Sequence, residues 1–175
     1  MKKILLTGGS GFVGRNLRES FLSQKYDLAA PARARLDLLD TRAVDEFFAK
    51  NSFDCVLHAA VKPCHRNAPD RDALVLSNLR MFENLARNSG SFGRLINFGS
   101  GAVYDQGGDI SGAREEDIFK KMPSDEHGFC KYAADYQYYC HPIKYNRFHR
   151  LFYADFRITY RWPVLSAVFA TKAAP

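Results

Sequence analysis

The residues best suited to chemistry lie near the amino terminus, where Thr7-Gly8-Gly9-Ser10-Gly11-Phe12-Val13-Gly14 follows the apolar run Ile4-Leu5-Leu6. Glycines at this spacing suit a turn that grips a diphosphate. The first glycine takes a tight turn, Gly11 lets the backbone approach the anion, and Gly14 lets the next helix lie close to the strand. Either Gly8 or Gly9 can fill the first role, so two registers are open. The N–H groups of Phe12, Val13 and Gly14 would then open a helix whose positive dipole end faces the phosphates. An ordinary glycine turn has the same spacing. A dinucleotide is favoured by the strand-like run before the turn and by the helical pattern over Phe12 to Leu22, with Phe12, Val13, Leu17, Phe21 and Leu22 apolar.

A second group with chemical potential follows the next strand-like run. An acidic residue at its end would hold the ribose 2′-hydroxyl of NAD, but Arg33 and Arg35 stand there, with no acid before Asp37. Guanidinium groups suit a 2′-phosphate, so NADP is the expected cofactor, with NAD as the alternative. Solvated surface arginines would look the same in sequence. Cys55, Cys64, Cys130 and Cys140 show neither a C-x-x-C pair nor zinc-ligand spacing, so reduced thiols and no metal site are expected.

The elements that must position these groups alternate along the chain. Strands are read at Lys2–Leu6, Asp27–Ala30 (closed by Pro31), Cys55–Leu57 and Leu95–Phe98, the last ending at Gly99-Ser100. Helices are read at Thr41–Lys50, with Thr41 as cap and Asp40 before it, at about Asp72–Asn88, and at Glu126–Tyr139. Residues 105–125, rich in Gly, Asp and Ser, read as a loop. This alternation predicts an α/β fold, a Rossmann-type doubly wound parallel sheet with helices on both faces. Its ligand should lie across the carboxyl ends of the strands.

Composition bounds the rest. A chain of 175 residues, 46% of them hydrophobic, can bury one core, so one globular domain is expected. No apolar stretch is long enough to cross a bilayer, and Met1-Lys2-Lys3 leads into a strand and glycines rather than a secretory leader. A cytoplasmic protein with no membrane partner is therefore expected. Of the net charge of +6, +5 falls in residues 141–175, where six Lys/Arg meet one acid, Asp155, and +1 falls in residues 1–140. Aromatics crowd the same basic segment.

Taken in order, Gly8-x-x-Gly11-x-x-Gly14, Leu36-Asp37-Leu38-Leu39-Asp40, His58-Ala59-Ala60, Asn78 and Ser100-Gly101-Ala102-Val103-Tyr104 resemble the extended short-chain dehydrogenase/reductases. Within these the chain resembles the NAD-dependent epimerase/dehydratase group, which acts on nucleotide sugars. The run LDLLDTRAVDEFF over Leu36–Phe48 is most similar to its fucose-synthase branch. The resemblance covers about residues 2–140, and it implies a nucleotide-sugar substrate with an NAD(P)-dependent epimerase or reductase activity.

The resemblance also implies roles. Gly8, Gly11 and Gly14 match the pyrophosphate loop, Arg33 falls where the 2′-phosphate is held, and Ala59 and Ala60 match backbone lining the cofactor. Asp37 or Asp40 corresponds to an acid near the adenine, although helix capping accounts equally for Asp40. Asn78 matches an asparagine that steadies the active-site backbone. Ser100 matches a serine that bonds the substrate oxygen, where a plain turn role is the alternative. The resemblance further implies a tyrosine and a lysine four residues apart on one helix face, beside the nicotinamide ribose. This chain has Lys131 in place, serving both cofactor and catalysis, but His127 where the tyrosine is expected. Histidine can exchange a proton near neutral pH, yet it reaches less far than a phenol, and a neighbouring lysine pushes it toward neutrality. Cys130 beside the lysine reads as a packed residue rather than a nucleophile.

Arg147–Phe152 reads as a further strand, since Arg150-Leu151-Phe152 resembles the family's sixth. The expected organisation is thus a Rossmann domain over 1–152, truncated after about its sixth strand, and an atypical tail over 153–175. A truncated or out-of-frame reading of a longer gene would explain that tail. Single-stranded nucleic acid or an anionic surface is a weaker explanation, and an apolar face left by a missing domain could be buried in a homodimer. Two functions are consistent with these features: a nucleotide-sugar oxidoreductase or epimerase using Ser100, His127 and Lys131, or a NADP-binding module without turnover.

Overall fold

The structure, a computed structural model, describes residues 1–63, 72–105, 107–140 and 148–151. Its strands are β1 (Lys3–Thr7), β2 (Asp27–Ala29), β3 (Cys55–His58), β4 (Leu95–Phe98) and β5 (Phe148–Leu151). All pair in parallel, in the order β2-β1-β3-β4-β5. The helices are α1 (Phe12–Glu19), α2 (Leu22–Lys25), α3 (Thr41–Lys50), α4 (Leu74–Ala86) and α5 (Glu126–Cys140). The chain leaves β1 for β2 on one side and then crosses to β3 on the other. The strand order therefore reverses at β1/β3, and a crevice opens beyond the carboxyl ends of those two strands.

Alternation within each strand divides the core in two. Leu5, Val56 and Leu95 face Val44 and Phe48 of α3, Met81, Phe82 and Leu85 of α4, and Ala134 of α5. Ile4, Leu6, Leu57 and Ile96 face Leu17 of α1, Leu22 of α2 and Tyr26. A sheet covered on both faces needs apolar side chains on both. The short, continuously apolar runs at residues 4–6 and 55–57 meet that need.

Several details depart from the sequence reading. The helix expected over Phe12–Leu22 breaks at Ser20, whose hydroxyl donates to the Leu17 carbonyl at 2.7 Å and accepts the Leu22 N–H at 3.2 Å. That serine competes locally with the helical ladder, and a second short helix starts at Leu22. Phe12, counted with the apolar face, is 54% exposed, and Leu76 of α4 is 64% exposed. Of the two residues read as possible caps of α3, Asp40 rather than Thr41 takes the role, its Oδ1 accepting the Ala43 N–H at 3.0 Å. From the N-cap position, one residue before the helix, the carboxylate reaches the N3 N–H that a first-turn threonine cannot.

Residues 107–125 form a loop with a short 3-10 turn at Glu115–Asp117. Asp105 anchors it, accepting the Ser124 hydroxyl at 2.9 Å and Lys121 Nζ at 2.5 Å. The hydrogen bonds from Lys121 and Ser124 hold the Asp105 carboxyl down at a pKa of about 2. β5 sits beside β4, in agreement with the strand read at Arg147–Phe152. Cys64 and the tail beyond Leu151 lie outside the described residues.

Candidate functional site

The glycine loop joins β1 to α1 at the switch point. Gly8 adopts φ +71°, and a Cβ placed there would lie 2.5 Å from the Ala60 nitrogen and 2.7 Å from the Ala59 carbonyl oxygen. Only glycine fits on both counts. This settles the register as Gly8/Gly11/Gly14 and brings the two expected cofactor-lining segments, Gly8 and Ala59-Ala60, into backbone contact. At Gly14 a Cβ would stand 2.1 Å from the Gly8 carbonyl oxygen, which is the close helix–strand packing the spacing required. Gly11 differs: a Cβ there would meet only the Gly8 carbonyl oxygen, at an ordinary 3.4 Å, so the fold itself has room for a side chain at this position. Gly11 is also the N-cap of α1 and has no side chain to accept the first helical N–H groups. The N–H groups at the start of α1, with Phe12 and Val13 first in the helix, thus form an anion cradle that a dinucleotide diphosphate fits.

At the carboxyl edge of the sheet, Thr7, His58 and Asn97 occupy one register row across β1, β3 and β4. Thr7 Oγ1 and His58 Nδ1 lie 2.8 Å apart in the interior. Burial first, and the Lys131 charge second, push the His58 pKa down to about 3, so this ring is neutral. Sequence reasoning gave His58 and Asn97 no role. The available signal was a polar residue closing or nearly closing each of three apolar strands.

Helix α5 brings the expected chemical pair over that edge. Lys131 Nζ donates to the Phe98 carbonyl at 2.8 Å, which seats the ammonium on the end of β4. Burial lowers its pKa, with Asp135 and Cys130 opposing. His127, one turn earlier, is also pushed down, by burial first and by Lys131 second, against a smaller pull from Asp125. Its Nδ1 is buried and has no hydrogen-bond partner among the described residues. His127 and Lys131 line one small cavity together with His58, Ala60, Asn78 and Asn97. Cys130 is buried beside them, with Sγ 4.0 Å from the Leu74 carbonyl, as a packed residue would be.

Two further contacts shape the site. Asn78 on α4 accepts the Lys62 N–H at 2.8 Å and donates to the Lys62 carbonyl at 3.3 Å, tying the segment after Ala60 to the helix. Gly128 lets α5 approach the Ser100 loop, since a Cβ there would fall 2.3 Å from the Ala102 carbonyl oxygen. Nothing in the local pattern marks that glycine, because its partner lies in another element. Ser100 itself accepts the Ala102 N–H at 3.2 Å, a turn role that uses an oxygen lone pair and leaves the hydroxyl proton available.

Arg33 and Asp37 lie in the turn segment beyond the carboxyl end of β2. Arg33 Nε donates to Asp37 Oδ2 at 3.1 Å, and their side chains are 75% and 36% exposed. Arg35 is exposed as well. Among the described residues no group of three or more His, Cys, Asp or Glu side chains could hold a metal ion. No helix among them is long and apolar enough to cross a membrane.

Known proteins are similar to this chain in sequence and in fold. The chain is 32% identical over 120 residues to a GDP-L-colitose synthase of Yersinia pseudotuberculosis, covering 66% of this chain and 39% of that protein. It is 35% identical over 107 residues to a GDP-L-fucose synthase of Azorhizobium caulinodans, covering 59% of this chain and 34% of that one. Among solved structures, the GDP-mannoheptose C4 reductase of Campylobacter jejuni, with NADP bound, superposes with a TM-score of 0.75 at 28% identity, covering 86% of this chain and 50% of that one. The chain thus spans about a third to a half of the length of these relatives. Residues 4–148 match the NAD dependent epimerase/dehydratase family, and with the glycine cradle at the β1/β3 crevice this establishes that the chain belongs to that family.

Proposed function

We propose that this chain is the cofactor-binding part of an NAD(P)-dependent epimerase or reductase acting on a nucleotide sugar, with NADP as its cofactor. The observation that carries this reading is the contact of Gly8 with Ala59-Ala60 beneath a helix N-terminus that no side chain caps. The NADP-bound Campylobacter reductase, and two curated relatives named for GDP-linked sugars, support the cofactor and favour GDP as the nucleotide.

When bound, the cofactor supplies or accepts hydride. In this reading the N–H groups of Phe12, Val13 and Gly14 hold its diphosphate, and Ala59 and Ala60 line it with backbone. Arg33 meets the 2′-phosphate, while Lys131 holds the ribose. The Ser100 hydroxyl donates to the sugar oxygen, and His127 in its protonated form gives that oxygen a proton in reduction, leaving the neutral ring that takes a proton back in the reverse direction. The same proposal includes a homodimer, supported by the exposed Leu76 and Tyr136 on α4 and α5 and checked by light scattering, and a cytoplasmic location, checked by cell fractionation.

Fluorescence titration with NADPH tests binding, and reduction of a GDP-4-keto sugar tests chemistry. Binding together with turnover supports the enzyme. If His127→Tyr leaves turnover at zero, the enzyme reading fails. A second reading, a NADP-binding module without turnover, is favoured by the lowered pKa and unpartnered Nδ1 of His127. Measurable reduction by the unmodified chain would eliminate it.

A further inference from the structure

The turn segment between β2 and α3 holds an arrangement that the glycine cradle does not require. Leu36 and Leu38 are buried on either side of Asp37, which fixes the backbone at that point. Both oxygens of the Asp37 carboxylate are then engaged by the chain itself. Oδ1 accepts the Leu39 N–H at 3.0 Å, and Oδ2 accepts Nε–H of Arg33 at 3.1 Å. Arg33 is therefore held at the Nε position of its guanidinium. Among the described residues, its two terminal nitrogens meet no partner. A planar guanidinium held at Nε still presents those terminal donors in a fork that matches two oxygens of a phosphate.

We propose that Asp37 is a positioning residue for cofactor choice: it clamps Arg33 through Nε, so that the free terminal edge is set to receive the 2′-phosphate and NADP is preferred to NAD. This rests on the NADP reading above. An exposed ion pair of this kind adds little to folding. Its effect lies in the freedom it removes from a long side chain before the phosphate arrives. The carboxylate charge acts in the opposite direction, because by Coulomb repulsion alone Asp37 would weaken phosphate binding. The two accounts thus differ in sign.

The test is titration of the full chain with NADPH and with NADH, comparing the unmodified protein with Asp37→Asn, Arg33→Lys and the double variant. Asparagine keeps an oxygen for the Leu39 N–H but loses the charged grip on Arg33. We expect Asp37→Asn to weaken NADPH binding by roughly three- to ten-fold more than it changes NADH binding. Arg33→Lys, which keeps the charge but not the fork, should lose the NADPH preference, and adding Asp37→Asn should then have no further effect. Tighter or unchanged NADPH binding in Asp37→Asn overturns the clamp and leaves the NADP reading intact. Equal weakening of both cofactors also overturns it, because Asp37 would then act on a part the two share. An unmodified protein that binds NADPH no more tightly than NADH overturns both proposals. The readout is a ratio within one variant, so a partly unfolded fraction cancels.

Discussion

At the scale of single residues, His127 is the position where this chain differs most from the tyrosine that the family resemblance implies. Burial and Lys131 both favour its uncharged ring, which makes it a poor proton donor at pH 7. His127→Tyr is expected to raise reductive turnover by at least about ten-fold, measured as NADPH consumption with a GDP-4-keto sugar. In the unmodified chain, reduction should speed up as the pH is lowered below about 6.5, toward the depressed histidine pKa. The tyrosine variant should lose that rise. A flat pH profile in both proteins would show that His127 takes no part in proton transfer. The lysine–histidine spacing was legible in the sequence because one helical turn is a local rule. The burial that sets the two pKa values was not legible, since β4 and α4 supply it from elsewhere in the chain.

At the scale of elements, the glycines separate packing from binding. A Cβ at Gly14 would overlap the Gly8 carbonyl, whereas one at Gly11 makes only ordinary contact. Gly14→Ala is expected to destabilise the fold by about 2 kcal/mol or more, read from urea unfolding. Gly11→Ala should stay within about 1 kcal/mol of the unmodified protein yet lose most of its NADPH affinity, because a side chain at the N-cap stands beside the N–H groups that form the cradle. Loss of stability in Gly11→Ala would remove the argument that this position is open for a ligand. Gly128→Ala is expected to push α5 off the Ser100 loop and lower turnover more than NADPH affinity, measured as kcat against Kd. The first two roles could be read from a glycine spacing that lies within one strand–turn–helix unit. The third could not, because Ala102 is supplied by a different element.

At the scale of the whole molecule, the buried polar row beneath the crevice ties stability to pH. The folded-state pKa of His58 is about 3, below its ordinary value of 6.5. Between these values the unfolded chain binds a proton that the native protein does not, so stability falls as the pH drops below about 6.5. At pH 5 the loss from this residue amounts to about 2 kcal/mol. Urea midpoints at pH 7.5 and pH 5 should show it, and His58→Asn should reduce the difference. The lowered pKa of His127 works in the same direction. Equal acid sensitivity in His58→Asn would mean that the Thr7–His58 contact does not exclude the proton.

The sequence by itself determined the alternation of strands and helices, the parallel sheet, the place of the glycine loop and the family. These follow from periodicity and turn chemistry, which act over a few residues. It also marked Arg33 and Asp37, Ala59 and Ala60, Ser100, His127 and Lys131 as separate points along the chain. Only the tertiary structure decided that Gly8 rather than Gly9 takes the turn, that Asp37 grips Arg33, and that Lys131 rests on the end of β4. The physical reason is the same in each case. The deciding partner is distant in sequence or set by a particular turn geometry, so no local rule of spacing or composition can specify it.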